Sequence, residues 1–234
     1  MVVDAFGASK TIQKTWKKRG ETGIAYDIKC NPAHDIVSRD GFFVLLMYCL
    51  MVPVGGLIVG GPPCSLFTFL SSSVHMRADG YEYGDESNYN VRLANRIALN
   101  FMFILKLMHM WNRKVYWVIE QPKSSWMMKL PEAQELMDIT KAERVFTYMG
   151  AFGHVLLKAS HLFGNLPTLS RMAREKPIDH EKHDDPDRMQ MWEDSDGIKR
   201  VTGGKNLPQT AEYTPLFCSA LYSTWLRSYN FTLP

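Results

Sequence analysis

Short apolar runs alternate with amphipathic stretches through the first half of the chain. Residues 2–6 ("VVDAF"), 22–28 ("TGIAYDI") and 115–120 ("VYWVIE") are rich in β-branched and aromatic side chains, which predicts strands. Residues 9–20 and 91–111 repeat apolar positions three and four apart, which predicts helices.

The segment 41–76 contains no Asp, Glu, Lys or Arg, so it is either a membrane span or the centre of a globular core. A spanning helix needs about 20 apolar residues without strong interruption. Pro53 and the Gly55–Gly56 pair divide the apolar run here, which favours the globular interpretation. The division predicts a buried helix over 42–52 and a buried strand over 57–59.

The resulting order is strand, helix, strand, helix, strand, helix, strand. It predicts an α/β fold with a mostly parallel sheet and helices on both faces. Residues 71–90 form a long polar stretch of the kind found in functional lids, and 174–200 are highly charged. The chain therefore divides into an α/β core at 1–168, a small charged insertion at 169–205 and a C-terminal helix that completes the core at 206–234.

The composition is that of an ordinary globular protein, with 46% hydrophobic and 22% charged residues. The net charge of +3 permits a nucleic-acid partner without indicating one. The four cysteines form no C-x-x-C pair and are too few for a disulfide scaffold in 234 residues. We therefore expect a reduced intracellular setting, and "MVVDAFGASK" carries no secretory signal.

A histidine- and aspartate-rich stretch, "DHEKHDD", could be drawn as a metal site. No catalytic partner accompanies it, so solvated charge is the better interpretation and no metal is predicted. Its candidate ligands are His180, His183, Asp184 and Asp185.

Polar side chains fall where the predicted strands end. Because the carboxyl ends of parallel strands meet at one edge, we expect Asp4, Asp27, Cys64 and Glu120 to lie close together. A thiol becomes a nucleophile when nearby donors or positive charge stabilise its thiolate. An acid on the neighbouring strand could bind the ring nitrogen and amino group of a pyrimidine. The pair would suit covalent activation, in which the sulfur adds to C6 and C5 attacks a methyl donor.

Six stretches resemble, in order, motifs of the DNA (cytosine-5) methyltransferase family. "VVDAFGASKTIQ" is similar to its first-strand cofactor loop, and "GIAYDI" to the second strand with a ribose-binding acid. "GGPPCSLFT" is similar to the catalytic Pro-Cys loop, and "VIEQP" to the Glu-Asn motif. "LKASHLFGNLP" and "AEYTPLFCSAL" are similar to a Lys-Pro-Thr segment of short members and to the closing Tyr-Pro helix.

This resemblance implies a Rossmann-like class I S-adenosylmethionine-dependent methyltransferase fold and a DNA (cytosine-5) methyltransferase activity. Cys64 would be the nucleophile, and Glu120 would grip a cytosine flipped out of DNA. The compartment would be nuclear in a eukaryote and cytoplasmic in a prokaryote or virus. The cofactor contacts implied are Asp4, Phe6, Gly7, Asp27 and Pro63, and the substrate contacts are Ser65, Gln121, Pro122 and Lys158.

The chain departs from the family pattern in several places. Ala8 and Lys10 stand where the cofactor loop has glycines, and Ser65 and Gln121 replace a Gln and an Asn. The Gln-x-Arg-x-Arg motif has no clear counterpart, and a large target-recognition domain is missing. Two alternatives therefore stay open: a catalytically inactive methyltransferase-fold protein that binds nucleic acid, and an amino-methyltransferase that uses the "GGPPC" loop.

Overall fold

Strands and helices alternate along the chain in the computed structural model, which describes residues 1–111, 114–177, 189–193, 195–196, 199–203 and 212–230. The strands are β1 (Val2–Ala5), β2 (Gly23–Tyr26), β3 (Leu57–Gly60), β4 (Tyr116–Pro122), β5 (Glu143–Tyr148), β6 (Ala159–Gly164), β7 (Met189–Glu193) and β8 (Lys199–Gly203). The helices are α1 (Thr11–Lys17), α2 (Arg39–Leu50), α3 (Ser72–His75), α4 (Tyr89–Trp111), α5 (Pro131–Thr140) and α6 (Pro215–Asn230).

Six of the strands form one sheet in the order β2-β1-β3-β4-β6-β5. β1, β2, β3 and β4 pair in parallel, whereas β6 runs antiparallel to both β4 and β5. The strand order reverses between β1 and β3, and such reversals open a crevice at the carboxyl ends of the strands. This arrangement is a Rossmann-like α/β fold with a mostly parallel sheet and helices on both faces, so the predicted fold class is confirmed. β7 and β8 form a separate antiparallel pair.

Helices cover both faces of the sheet, and each face has its own apolar core. On one face α2, α4 and α5 pack over strand residues that include Ile58 and Trp117. On the other face Trp16 of α1 and Trp225 of α6 pack over Leu57 and neighbouring residues. The indole nitrogen of Trp225 donates to the carbonyl of Gly55 at 2.7 Å, which fixes α6 against the turn that precedes β3.

The uncharged segment folds into α2 and β3, as its pattern predicts. α2 begins at Arg39 rather than at residue 42, because the Ser38 hydroxyl accepts the backbone N–H of Gly41 at 3.0 Å and caps the helix. The helix ends before Pro53, and β3 is buried along its whole length. In the described part of the chain, no helix is both long and apolar enough to span a membrane.

The stretch 71–90, predicted as a polar loop, is mostly irregular but contains α3 and a buried arginine. Arg77 donates through Nε to the carbonyl of Leu66 at 3.0 Å and through Nη2 to Asn95 Oδ1 at 2.7 Å. Its guanidinium also lies 3.9 Å from the ring centre of Phe67. Arg77 therefore ties this stretch to α4 and to the segment that follows Cys64.

Part of the predicted charged insertion falls outside the described residues, as do His180, His183, Asp184 and Asp185. Within the part that is described, the side chains of Arg174, Glu175 and Lys176 are exposed. The chain just before them is not: Leu169 and Met172 are fully buried in the core beneath α6. The division into core, insertion and closing helix stays a prediction.

Candidate active site

The edge formed by the carboxyl ends of the parallel strands brings the four predicted polar residues together. Asp4 lies near the end of β1, and Asp27 directly follows β2, the neighbouring strand. Cys64 follows β3 in an irregular loop, and Glu120 lies within β4, which continues as far as Pro122. Burial is the main cause of the raised pKa of both Asp4 and Cys64; the nearby Asp27 carboxylate adds to the first shift and the nearby Glu120 carboxylate to the second.

Glu120 is held by two partners on the side of the site formed by β4 and β6. Its side chain is buried, and its Oε1 accepts a hydrogen bond from Ser160 Oγ at 2.6 Å. Lys158 Nζ lies 3.5 Å from the same oxygen. Lys158 directly precedes β6 with a φ of 33°, and Pro122 of β4 pairs with Ser160 of β6. The antiparallel pairing of β4 and β6 thus places the Lys158 ammonium and the Ser160 hydroxyl beside the Glu120 carboxylate.

Gln121 holds the loop that carries Cys64 through a side-chain hydrogen bond. The Gln121 side chain donates to the carbonyl of Pro62 at 3.0 Å and accepts from Ser125 Oγ at 2.8 Å. Beyond the cysteine, the backbone N–H of Phe67 donates to the Cys64 carbonyl at 2.8 Å. Gln121 is almost fully buried, so the contacts it makes in the structure are with the loop. The substrate contact inferred for it stays a prediction.

The Cys64 thiol is protonated at neutral pH in this arrangement. Burial raises its pKa, the Glu120 carboxylate raises it further, and the Lys158 ammonium acts in the opposite direction. The pKa lies above the ordinary value of 9.0 on balance. Chemistry at this sulfur therefore requires a step that removes the proton.

Asp4 is the deeply buried carboxyl group on the side of the site formed by β1 and β2. Burial raises its pKa from 3.8 to about 7, a hydrogen bond from the backbone N–H of Gln13 opposes the shift, and Asp27 adds to it. Gln13 lies in the first turn of α1, whose N-cap residue makes no side-chain cap. Asp4 thus supplies an acceptor to the start of that helix from the adjoining strand.

The turn between β1 and α1 runs close to this carboxyl group. A Cβ added to Gly7 would lie 2.3 Å from Asp4 Cγ, so only glycine fits there without a shift. Phe6 (φ 65°) and Lys10 (φ 58°) both adopt the left-handed conformation that glycine prefers. Lys10 stands at one of the two positions where the cofactor-loop motif that the sequence resembles has glycine. The backbone keeps the glycine-like shape there, although the side chain is a lysine.

The other inferred contact residues lie around the same edge of the sheet. Pro63 and Ser65 are exposed in the loop, and Pro122 is half-buried at the end of β4. Asp27 uses Oδ1 to accept the backbone N–H of Lys29 at 2.7 Å. Among the described residues, no hydrogen bond reaches its Oδ2.

These groups fit S-adenosylmethionine in their chemistry. The ligand has ribose hydroxyls and an ammonium group, both donors, and Asp27 Oδ2 and the Asp4 carboxyl group are acceptors at adjacent strand ends. Gly7 allows a ligand to approach the backbone beside Asp4, since no side chain projects there. Asp4, Phe6, Gly7 and Asp27 would hold such a ligand.

Tyr213 is a residue of this site that the sequence analysis did not single out. Its hydroxyl is buried and makes no hydrogen bond within the described part of the structure. Burial raises its pKa well above the ordinary value, and Glu120, Asp4 and Cys64 are among the groups that raise it further. Tyr213 precedes α6, so it reaches the site from the far end of the chain. The signal available in the sequence was the position of an aromatic residue in "AEYTP", just before a helix.

A groove with aromatic and basic residues lies along β5, near the end of β4. It has a volume of about 480 Å³ and is lined by Phe146, Tyr148, Ala173, Arg174, Glu175 and Lys176. Lys123 Nζ, just beyond β4, lies 5.6 Å from the ring centre of Phe146. Aromatic rings and cations together are typical of surfaces that bind nucleic-acid strands.

No protein-family model matches the chain, and no curated protein matches it. Among solved structures, the chain is similar to the Entamoeba histolytica methyltransferase EhMeth, with 12% sequence identity and a TM-score of 0.44. The match covers 71% of this chain and 53% of that one. The chain thus spans about half the length of the solved structure that it matches.

Proposed function

We propose that this protein is an S-adenosylmethionine-dependent methyltransferase that acts on C5 of cytosine in DNA through a covalent bond to Cys64. The observation that carries the proposal is the meeting of Cys64 with a held carboxylate, Glu120, at the carboxyl edge of a methyltransferase-like sheet. Asp4 and Asp27 lie at the adjoining strand ends, with chemistry that suits the methyl donor.

The residues divide the reaction between them. Bound S-adenosylmethionine supplies an electrophilic methyl group. The Glu120 carboxylate takes the proton of Cys64 as the sulfur bonds to C6, which breaks the C5–C6 double bond and makes C5 nucleophilic. Glu120 then donates this proton to N3 and accepts a hydrogen bond from the exocyclic amino group while charge develops on the ring. Once C5 carries the methyl group, its proton passes to water, the electrons of that bond restore the C5–C6 double bond, and the C6–sulfur bond breaks. The N3 proton returns through Glu120 to the released Cys64 thiolate.

Lys158 and Ser160 position Glu120 for this role. A buried carboxylate with a single partner is free to rotate, whereas two partners on one oxygen fix its direction. The second oxygen, Oε2, then remains for the base. The exposed Lys123 and the groove along β5 offer contacts to the flanking phosphates and bases of DNA.

Two observations favour a second candidate, a methyltransferase-fold protein that binds nucleic acid without catalysis. Burial and Glu120 both keep the Cys64 thiol protonated, and Lys10 occupies a left-handed position of the cofactor loop. Both features weigh against turnover. The two candidates differ in whether a covalent intermediate forms.

DNA containing 5-fluorocytosine tests the covalent step, because fluorine at C5 cannot be removed as a proton and the adduct persists. With S-adenosylmethionine present, a stable protein–DNA adduct should form and should disappear in Cys64→Ser. Cys30→Ser, which removes a half-buried thiol beside the cofactor loop, should keep it. Glu120→Gln should slow adduct formation by roughly 10²–10⁴-fold, as expected for loss of a positioned acid.

Each contrary result identifies a different error. An adduct that survives Cys64→Ser would reject the assigned nucleophile. DNA binding without an adduct in any sequence context would favour the non-catalytic candidate, and methylation of an exocyclic amine would identify an amino-methyltransferase.

Calorimetry tests the methyl donor separately. Titration with S-adenosylhomocysteine should show binding, and Asp27→Ala should weaken it by about 1.5–3 kcal/mol because the ribose loses a charged acceptor. Asp79→Ala, at an exposed position, is the matched control. Absence of binding at millimolar ligand would contradict the cofactor assignment.

A further inference from the structure

The hydroxyl of Tyr213 is held in place by its surroundings. Its ring stacks on Phe217 at 4.9 Å, and Phe217 in turn packs edge-on against Phe152 at 5.4 Å. The next residue, Thr214, donates its hydroxyl to the carbonyl of Phe152 and accepts the backbone N–H of Phe217 at 3.1 Å. Thr214 thus caps α6 and fixes the ring that precedes it.

Space for the hydroxyl is provided by Gly61, the residue after β3. A Cβ at Gly61 would lie 2.5 Å from the Tyr213 oxygen, too close for any other residue without movement. Gly61 also begins the loop that carries Cys64. The hydroxyl therefore lies against the root of the catalytic loop, within electrostatic reach of Glu120 and Cys64.

A buried hydroxyl with no partner lowers the stability of a protein, and phenylalanine would fill the same space without that cost. The position nevertheless holds a tyrosine, with a glycine opposite that admits its oxygen. Such a group is explained when a ligand supplies the missing partner. Because burial and nearby acidic groups, Glu120 foremost, keep the phenol protonated, it offers a hydrogen-bond donor.

The acceptor base has one polar group that the residues already assigned leave unmatched. In the proposed function Glu120 binds N3 and the amino group, and Cys64 bonds to C6. The 2-oxo group, which gains negative charge when sulfur adds to the ring, still needs a donor. Near Glu120, the Ser160 hydroxyl and the Lys158 ammonium are already directed at the carboxylate.

We propose that Tyr213 donates a hydrogen bond to the 2-oxo group of the acceptor pyrimidine and so completes the substrate pocket from the C-terminal segment. The inference rests on the proposed function, since the base and its covalent adduct define where the 2-oxo group lies. It assigns to the segment before α6 a part in selecting 2-oxopyrimidines.

Tyr213→Phe removes the hydroxyl alone and gives two readouts of opposite sign. The free protein should melt about 2–4 °C higher, the shift expected when a protein of this size loses an unpaired buried hydroxyl. Adduct formation with 5-fluorocytosine DNA should slow about tenfold at saturating DNA and cofactor, while affinity for S-adenosylhomocysteine stays unchanged. Tyr222→Phe, on α6 but packed against Trp16, should change neither quantity.

A substrate analogue isolates the contact. Replacing the acceptor with 2-thiocytosine puts a poor hydrogen-bond acceptor opposite the phenol. The wild-type rate should then fall, and Tyr213→Phe should lower it no further, because the two changes remove the same interaction.

The placement of the hydroxyl is tested by Gly61→Ala. This change should destabilise the wild type but be tolerated in Tyr213→Phe, where the nearest ring atom to the new methyl is about 3.5 Å away rather than 2.5 Å. Additive losses would contradict the contact on which the inference depends.

Three outcomes overturn the inference. If the wild type forms an adduct and Tyr213→Phe forms it at the same rate, the donor role is wrong while the proposed function stands. A faster rate in Tyr213→Phe would show that the hydroxyl obstructs the site. No adduct in the wild type would remove the proposed function and this inference together.

Discussion

The two sides of the active edge satisfy their buried carboxyl groups in different ways. On the β4–β6 side, Glu120 has a lysine and a serine on one oxygen. On the β1–β2 side, Asp4 is as deeply buried but forms no ion pair with any described residue, and its pKa rises to about 7. The first side is organised before a ligand arrives, whereas the second keeps an electrostatic cost that a positively charged ligand would relieve.

The backbone conformations of the two sides also differ, and the β1–β2 side is again the less favourable one. The β1–β2 side contains Phe6 and Lys10 in left-handed conformations, each unfavourable for a residue with a side chain. The β4–β6 side is built from paired strands, with Lys158 as its residue of positive φ. Backbone strain and a buried carboxyl group without an ion-pair partner on the same side are typical of sites that become favourable only when occupied.

Asp4→Asn should give the largest effect, because it removes the buried carboxyl group that is costly to ionise in the folded protein. The folded protein keeps the Asp4 proton up to about pH 7, while an unfolded chain releases it near pH 3.8, so unfolding releases a proton between these values. The stabilising contribution is full below about pH 4 and is lost as pH rises through about 7. Between those pH values, the free energy of unfolding of the wild type should fall by up to about 4 kcal/mol relative to that of Asp4→Asn, as measured by urea unfolding.

Asp79→Asn controls for the general effect of removing a carboxylate, since the Asp79 side chain is 89% exposed. The difference in the free energy of unfolding between Asp79→Asn and the wild type should not vary with pH. Parallel curves for the wild type and Asp4→Asn would mean that Asp4 is ionised throughout and that the contrast between the two sides is wrong.

Lys158→Met should break the organisation of the other side. It leaves Glu120 buried with only the Ser160 hydroxyl, and loss of one member of a buried pair costs about 3 kcal/mol. Adding Glu120→Gln to Lys158→Met removes the unpaired charge and should recover much of that loss. Chemical denaturation of the two single variants and the double variant measures the coupling. Additive losses would show that the two side chains do not act as a pair.

Lys10→Gly should give the smallest effect, an increase of about 1 kcal/mol in the free energy of unfolding. Glycine adopts the left-handed conformation without a Cβ clash. Lys14→Gly, within α1, is the matched control and should lose about 1 kcal/mol. Thermal melts of both variants measure the pair. A loss of stability in Lys10→Gly would indicate that the lysine side chain contributes more than its backbone costs.

The sequence predicted the first four strands and the helices α1, α2 and α4 because each has a clear apolar pattern and a clear stop, whereas α3 was predicted as part of a loop. It did not predict β6, in which Ser160, Leu162 and Gly164 share one face and His161 and Phe163 the other. Neither face carries a simple apolar pattern. Pairing with β4 and β5 on both sides imposes the strand, and such pairings are not visible in local sequence.

The same distinction applies to the candidate site. Asp4, Asp27, Cys64 and Glu120 could be placed at one edge because each lies at or near the end of a parallel strand. Ser160 is 40 residues from Glu120, and Tyr213 comes from beyond the charged insertion, so neither contact follows from spacing. The raised pKa of Asp4 was equally hidden, since it depends on how much protein surrounds the carboxyl group.

A glycine at the opposite end of β6 helps to determine which side chains contact Glu120. Gly164 lies so close to β4 that a Cβ would come within 2.3 Å of the carbonyl oxygen of Trp117. The adjoining Asn165 side chain accepts the backbone N–H of Trp117 at 2.8 Å and fixes the alignment further. A slip of one residue would bring His161 to the place of Ser160, since neighbours in a strand face opposite ways. An imidazole would then replace the hydroxyl beside the carboxylate, so the acid–base character of the site is set by packing at a distance from it.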